Sequence, residues 1–275
     1  MQSEMKTIQM NTGSFLVFSG SLAGTGIFYA GRSDQGGRSA QEDRILSEKD
    51  EENERLLCAV CDGMGGMQGG SLASGTVSDL LRESFRQGIQ QSPPVYFRSF
   101  AERADEAVCA LTQDGRRLQA GTTIVAALLE KDSLYWLSVG DSRIYLYRTG
   151  TLICPVPAHN YWLLLNEMVA EGRIGKEQFL RESRRPNAHG LISYLGIGGV
   201  PRMEINARPF RVLPGDKILL CSDGLFRSLT DQEIRRVLET DAETAAKADL
   251  LTGAALENGG SRQDNTSVIL IEKNR

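Results

Sequence analysis

Four aspartates stand at the ends of apolar, strand-like stretches of the chain. Asp62 follows LLCAVC, Asp223 follows DKILLCS, Asp141 lies within WLSVGDSRIYLY, and Asp264 precedes TSVILIE. One aspartate in such a position usually caps a turn. Four beside apolar strands would concentrate negative charge if the strand ends meet at one edge of a sandwich, and a cation would relieve that repulsion. The pattern therefore predicts a cation site.

The residue types around these aspartates favour a hard divalent ion. Asp62 and Asp223 are each followed by glycine, which allows a backbone carbonyl to approach a metal closely. Oxygen ligands suit Mg²⁺ or Mn²⁺. The two histidines, His159 and His189, do not form a zinc-binding pattern.

The stretch SDQGGRSAQEDRIL adds a basic residue and two more carboxylates ahead of a strand. Arg38 offers a planar, permanently charged fork that can hold two oxygens of a phosphate. Glu42 and Asp43 can add oxygen to a metal shell. Alone this is a charged loop, but beside the four aspartates it predicts an anion site next to a cation site.

Composition excludes several other classes. The net charge is −4, the pI is near 5.4, and no run of lysine or arginine indicates a nucleic-acid or anionic-membrane partner. The apolar segment 13–31 is interrupted by glycine and serine, so strands are expected there and not a membrane span. Five cysteines favour a reducing, cytoplasmic compartment. Cys58 and Cys61 lie three apart on an expected strand, on opposite faces, which argues against a shared metal or disulfide.

The periodicity of apolar residues predicts one α+β domain spanning 1–275, without repeats or linkers. Helices are predicted over 71–85 and 96–118, and capping boxes at Thr230 and Thr240 would open two more, the second ending at Gly259 and Gly260. Hairpins are predicted at 134–148, through GDS, and at 144–153, through RTGT. Blocks of strands and helices favour an antiparallel sandwich covered by helices on the outside. Strands are predicted over residues 15–18, 27–30, 44–47, 56–61, 123–129, 134–139, 143–148, 151–155, 204–212, 217–221 and 267–272.

Six motifs in order resemble the type 2C family of metal-dependent serine/threonine protein phosphatases, in particular its bacterial members. They are SDQGGRSAQEDRIL, AVCDGMGG, GTTIVAALL, LSVGDSRIYLYRTG, LLCSDGLFRSLTDQEI and DNTSVILIE, spread over residues 33–272. The resemblance implies a four-layer αββα fold, with two packed antiparallel sheets and helices on both outer faces. It also implies a flap at about 155–200, where this chain departs most from the family pattern.

The resemblance assigns a role to each candidate site residue. Asp62 would bridge two Mn²⁺ or Mg²⁺ ions, with Asp223 and Asp264 completing the pair. The other implied roles are a carbonyl ligand from Gly63, water-mediated contacts from Glu42 and Asp43, a weaker third ion at Asp141, and the phosphate grip of Arg38.

The implied activity is hydrolysis of phosphoserine and phosphothreonine in proteins by a metal-activated water, without a phosphoenzyme. Met64 stands where some eukaryotic members have a histidine. The implied partner is a phosphorylated protein, either a serine/threonine kinase or a target of one, and a monomer is expected. Two alternatives stay open: a pseudophosphatase that binds phosphoproteins, and a metal-dependent hydrolase of other phosphoesters.

Overall fold

The computed structural model describes residues 16–65, 69–113, 115–185 and 187–274. In chain order the strands are β1 (Leu16–Leu22), β2 (Ile27–Asp34), β3 (Asp43–Asp50), β4 (Arg55–Met64), β5 (Thr112–Gln113), β6 (Arg116–Arg117), β7 (Gly121–Thr122), β8 (Ile124–Glu130), β9 (Ser133–Val139), β10 (Arg143–Arg148), β11 (Thr151–Ile153), β12 (Glu204–Ile205), β13 (Phe210–Arg211), β14 (Lys217–Cys221) and β15 (Thr266–Lys273). The helices are α1 (Gly69–Arg86), α2 (Pro93–Cys109), α3 (Tyr161–Ala170), α4 (Lys176–Glu182), α5 (Asp223–Phe226), α6 (Asp231–Leu238) and α7 (Thr244–Gly259).

Two antiparallel sheets form the centre of the molecule. One has the strand order β1-β2-β15-β14-β10-β11, and the other has the order β12-β9-β8-β4-β3, with β13 beside β9 and β7 beside β4. The small pair β5 and β6 stands apart from both sheets. The antiparallel sandwich predicted from the sequence is confirmed.

The alternation of side chains along β4 explains the layers. Leu56, Cys58 and Val60 face the core between the two sheets, whereas Leu57 and Cys61 face the core beneath α1 and α2. A third core lies between the other sheet and helices α6 and α7. Successive side chains of a strand point to opposite sides, so a strand that is buried on both faces has a continuous run of apolar residues in its sequence. The result is the four-layer αββα arrangement, with the two cysteine thiols on opposite faces.

One predicted hairpin is wrong and the other is confirmed. β9 and β10 belong to different sheets, so the connection Gly140–Ser142 crosses the edge of the sandwich and is not a hairpin turn. β10 and β11 do pair, with Arg148 opposite Thr151. The crossing brings Asp141 to the rim, where the two sheets meet.

Two predicted helix boundaries are also wrong. Helix α2 ends at Cys109, and the apolar Leu111 and Leu118 reach the same core from the β5–β6 hairpin. Thr230 forms the predicted capping box with Glu233. Thr240 instead donates its hydroxyl to the carbonyl of Val237 at the end of α6, and α7 begins only at Thr244.

Two strand predictions need qualification. The predicted strand 204–212 is two short strands, β12 and β13, separated by a loop in which the Asn206 side chain accepts a hydrogen bond from the backbone of Trp136. Of the predicted strand 15–18, Phe15 lies outside the described residues, and β1 continues to Leu22.

Helices α3 and α4 form the region predicted as a flap. Trp162 stacks on His189 at 5.8 Å between ring centroids and meets Phe179 edge-on. Arg202 pairs with Glu167 of α3 through two hydrogen bonds of 2.8 and 2.6 Å. In the part of the chain that the structure describes, no helix has the length and apolar character needed to cross a membrane.

Candidate active site

The site is built around the end of β4. Asp62 lies opposite Asp43 of β3 in the antiparallel register. The Asp62 carbonyl accepts a hydrogen bond from the Thr123 amide at 2.9 Å, and its amide donates to the Thr123 hydroxyl at 3.2 Å. These contacts hold the backbone of Asp62 while leaving its carboxylate free of hydrogen-bond donors among the described residues. Two carboxylates thus face each other at the sheet edge.

Glycine at position 63 is required by the close approach of three chain segments. A Cβ added to Gly63 would lie 2.1 Å from the carbonyl oxygen of Gly70 and 2.7 Å from that of Glu42. A Cβ on Gly70 would in turn lie 2.5 Å from Oε1 of Glu42. The start of α1 can therefore pack against the Asp-Gly turn only because both residues lack side chains.

The opposite sheet supplies Asp223 and its neighbours. Asp223 follows β14 and opens the short helix α5. The preceding residue, Ser222, donates its hydroxyl to Oδ2 of Asp43 at 2.7 Å and accepts a hydrogen bond from the amide of Ser267 at 3.0 Å. Ser222 therefore links the two sheets directly beneath the carboxylates.

Asn265 fixes the loop that carries Asp264. Its Oδ1 accepts a hydrogen bond from the Glu42 amide at 2.8 Å, and its Nδ2 donates to the carbonyls of Gln35 and Ala40. The segment that holds Glu42 and the segment that holds Asp264 are thus tied together by one amide side chain.

Asp141 is positioned by the sheet crossing and by a buried histidine. The amide of Gly140 donates to Nδ1 of His159 at 3.1 Å, and the His159 amide donates to the Gly140 carbonyl at 2.8 Å. Burial, together with the charge of Arg202, lowers the pKa of His159 to about 4. The ring is therefore neutral near pH 7 and serves as a hydrogen-bond acceptor that orients the Asp141 loop.

The carboxylates raise one another's pKa. For Asp62 the pKa lies well above the usual value because of burial and then the charges of Asp43, Asp223, Asp141 and Asp264. Burial raises the pKa of Asp43 to about 6, although serine hydroxyls oppose the shift. Burial and neighbouring acids raise the pKa of Asp223 to about 7. The four aspartates predicted from the strand ends thus meet in one place.

Two arginines partly neutralise this acidic group. Arg38 contacts Asp264 at 2.6 Å. Arg227 contacts Asp223 at 2.8 Å and lies 3.9 Å from Asp141. Both arginine side chains are more than half exposed, so neither is locked in place by packing.

The residues suit a divalent cation in chemistry, though not in their present arrangement. Oε1 of Glu42 and Oδ1 of Asp43 are buried without a hydrogen-bond partner among the described residues. Such atoms are costly unless a cation or donor meets them. Across residues 16–65, 69–113, 115–185 and 187–274, no three acidic, histidine or cysteine side chains stand close enough to hold one ion as they are. Asp264 and Asp223 would have to exchange their arginine partners for metal.

Comparison with known proteins identifies the family. The model of the family described as Protein phosphatase 2C matches residues 30–257. The chain belongs to the protein phosphatase 2C family. The family and the enzyme class predicted from the sequence, a protein phosphatase, are confirmed.

The curated relatives of this phosphatase include bacterial enzymes. A serine/threonine phosphatase stp of Listeria welshimeri is 29% identical, over 88% of this chain and 94% of the relative. The serine/threonine protein phosphatase PstP of Mycobacterium tuberculosis is 31% identical over 89% of this chain and 44% of its own length. These relationships agree with the bacterial branch predicted from the motifs.

Solved structures of the family agree with the fold. The serine/threonine phosphatase of S. agalactiae superposes with a TM-score of 0.76 at 26% identity, covering 90% of this chain and 99% of that one. The catalytic domain of PstP in complex with two manganese ions has a TM-score of 0.70 at 28% identity, with the same coverage.

Sequence reasoning missed several supporting residues of this phosphatase. Ser222 and Asn265 adjoin the aspartates but gave no signal, since hydrogen bonds to distant segments leave no local pattern. Arg227 did leave a signal in the sequence, because it follows Asp223 by four residues. At that spacing an acidic and a basic side chain lie on the same face of a helical turn.

Proposed function

We propose that this phosphatase removes phosphate from phosphoserine and phosphothreonine in proteins with the help of Mn²⁺ or Mg²⁺. The observation that carries the proposal is the meeting of mutually repelling carboxylates from both sheets, two of which have buried oxygens without a partner. The manganese ions bound to the PstP catalytic domain support the same interpretation.

The ligand roles proposed here are those that the family resemblance implies for these residues. Asp62, the Gly63 carbonyl, Asp223 and Asp264 would hold two ions, with Glu42 and Asp43 acting in the shell or behind it through water. When bound, the ions would supply Lewis-acid stabilisation of the phosphoryl oxygens and make water acidic enough to act near neutral pH. Oxygen ligands from carboxylates and a carbonyl suit both metals.

Arg38 would bind and orient the phosphate. Its side chain is 58% exposed, so the guanidinium can turn from Asp264 toward an incoming phosphoryl group, which offers two oxygens to the planar fork. Ser222 and Asn265 keep Asp43 and Glu42 in place during that exchange. With Asp62, Arg38 is the residue proposed to take part directly in the reaction.

The test is hydrolysis of a phosphothreonine peptide by the purified chain with Mn²⁺, with and without a chelator. We expect release of phosphate that stops with chelator and returns when Mn²⁺ is added in excess. Hydrolysis unaffected by the chelator would contradict the metal requirement.

The same assay separates the alternatives. Turnover of nucleotides or small phosphoesters without turnover of the peptide would favour a different phosphoester substrate. Tight peptide binding without phosphate release in Mn²⁺ would favour a pseudophosphatase. All of the carboxylates expected of an active member are present in the chain, which supports activity over binding alone.

Arg227 is expected to weaken metal binding. Its guanidinium lies between Asp223 and Asp141, and a fixed positive charge there competes with a divalent ion. Arg227→Gln should tighten Mn²⁺ binding by about 3- to 10-fold, a modest change because exposed charges are screened by solvent. Isothermal titration of metal into the chelator-treated protein measures it.

The matched control is Arg236→Gln, which removes an exposed arginine from α6. Its Mn²⁺ affinity should equal that of the wild type. Equal affinities for Arg227→Gln and Arg236→Gln would show that Arg227 does not compete.

A third ion at Asp141 stays a prediction, and Arg227 is the side chain that it would have to displace. The single domain with a flap at about 155–200, the cytoplasmic location, the monomeric state and the kinase-linked substrate also stay predictions.

A further inference from the structure

A pocket of about 460 Å³ lies beside the candidate active site and has no role in the mechanism proposed above. Its floor includes Met64 and Gly65, two and three residues beyond Asp62. A strand rises about 3.3 Å per residue, so this floor begins within about 7 to 10 Å of Asp62. The other walls are the segment 117–121, which begins at the last residue of β6, and Tyr194 with Gly196 at the end of the flap region.

Backbone hydrogen bonds hold these walls together. Gly121 of β7 pairs with Met64 of β4, and Thr122 exchanges two hydrogen bonds with Leu195, of 3.0 and 2.9 Å. The ring of Tyr194 lies against Gly121, where an added Cβ would be only 2.5 Å from a ring carbon. The pocket is therefore preformed, and its shape depends on the glycine at 121.

A buried carboxylate anchors the flap side of the pocket. Asp105 of α2 accepts hydrogen bonds from the amides of Gly196 at 2.7 Å, Gly198 at 3.3 Å and Gly199 at 2.6 Å. Three backbone donors on one buried acid fix the loop. This wall will therefore keep its position when a ligand enters.

The walls combine apolar side chains with the polar Gln119 and the positively charged Arg117. Met64, Leu118, Ala120 and Tyr194 supply the apolar surface. Among the described residues that line the pocket, Arg117 is the charged one. It is exposed and makes no ion pair with another described residue. Its state contrasts with that of Arg38 and Arg227, which are engaged by aspartates.

We propose that this pocket binds an acidic side chain of the phosphoprotein substrate, with Arg117 as the residue that selects it; this inference rests on the proposed function. An extended chain covers about 3.3 to 3.6 Å per residue, so the acid would lie about two to four residues from the phosphorylated one. The apolar walls would contact its methylene groups while Arg117 binds the carboxylate. The acidic cluster at the reaction centre repels such a residue, so Arg117 gives it a favourable place to bind.

The test uses a phosphothreonine peptide with neutral neighbours and a panel in which one glutamate moves through about two to four residues on either side. At one position or more, glutamate should raise kcat/KM by about 3- to 10-fold over the neutral peptide. Arg117→Ala should abolish that ratio, and Arg117→Glu should shift the preference to the matching lysine peptide. The ratio between peptides cancels any general loss of activity.

Arg116→Ala is the matched control, because successive residues of a strand point to opposite sides and Arg116 does not line the pocket. It should keep the wild-type ratio. Equal turnover of all peptides, or a preference that survives Arg117→Ala or is lost equally in Arg116→Ala, would overturn the inference alone. A wild type that hydrolyses none of the peptides would overturn the proposed function and this inference with it.

Discussion

Asp62→Asn is expected to reduce Mn²⁺-dependent kcat/KM by at least about 10³-fold, which corresponds to about 4 kcal/mol of activation free energy. Burial and then the charges of all the other aspartates at the rim raise the pKa of Asp62, and Asp62 is the residue proposed to bridge both ions. An amide keeps its shape but provides no negative charge to hold a cation. Steady-state hydrolysis of a phosphothreonine peptide at saturating Mn²⁺ measures the loss.

Asp62→Asn should lower activity without lowering the stability of the metal-free protein. In the presence of a chelator, Asp62→Asn should unfold at a temperature no lower than that of the wild type, because the substitution removes charge repulsion among Asp62, Asp43 and Asp223. The control is Asp79→Asn, an aspartate on α1 whose side chain is 75% exposed; it should retain full activity. An active Asp62→Asn protein would contradict the assignment, and an unfolded one would indicate a structural role instead.

Gly63→Ala is expected to lower the free energy of unfolding by about 3 kcal/mol. The new Cβ would lie 2.1 Å from the Gly70 carbonyl oxygen, a backbone atom that cannot move without shifting the start of α1. The same shift would displace Glu42, so activity should fall together with stability. Denaturant unfolding followed by circular dichroism measures the first effect, and peptide hydrolysis measures the second.

Gly75→Ala provides the control, since it adds the same methyl group within α1, the helix whose start the Gly63→Ala methyl would displace. The atom nearest to its Cβ would be Nε of Arg44, at 4.0 Å. Without a clash, replacing a helical glycine by alanine should stabilise the protein by about 0.5 to 1 kcal/mol. The two variants should therefore change stability with opposite signs, and a Gly63→Ala protein as stable as Gly75→Ala would refute the close-approach argument.

The general fold was predictable because burial leaves a strong local pattern. The apolar run through Cys58 and Cys61 indicates a strand covered on both faces, and both cores are found. The capping box at Thr230 was equally readable, since its two hydrogen bonds lie within four residues. The aspartates at strand ends converge because antiparallel strands return to the same edge.

The errors have a common cause, which is that short patterns do not specify distant partners. Asp141 looks the same in a hairpin turn as in a crossing between sheets. Leu111 and Leu118 continue a helical spacing, yet they reach the core from a hairpin. The residues after Thr240 match a capping box, but the Thr240 hydroxyl donates its hydrogen bond to a carbonyl of the preceding helix.

The candidate site was only partly predictable for the same reason. Sequence reasoning proposed Asp62, Asp141, Asp223 and Asp264 from their positions after or before strands. It did not find the pairing of Arg38 with Asp264 or of Arg227 with two aspartates, because both depend on the packed rim. The pocket beside Met64 could not be predicted at all, since its walls come from three separate segments.

The hydrogen bond from Ser222, which directly follows β14, to Asp43 of β3 connects the two sheets. Neither sheet alone carries a complete set of proposed ligands, so the proposed function requires both halves of the sandwich. A chimera that takes one sheet from a relative would contain the correct aspartates. We expect it to be inactive unless the contact between Ser222 and Asp43 keeps the two sheets in the same relative position. An exchange that preserves the proposed site would therefore have to transfer the two sheets together.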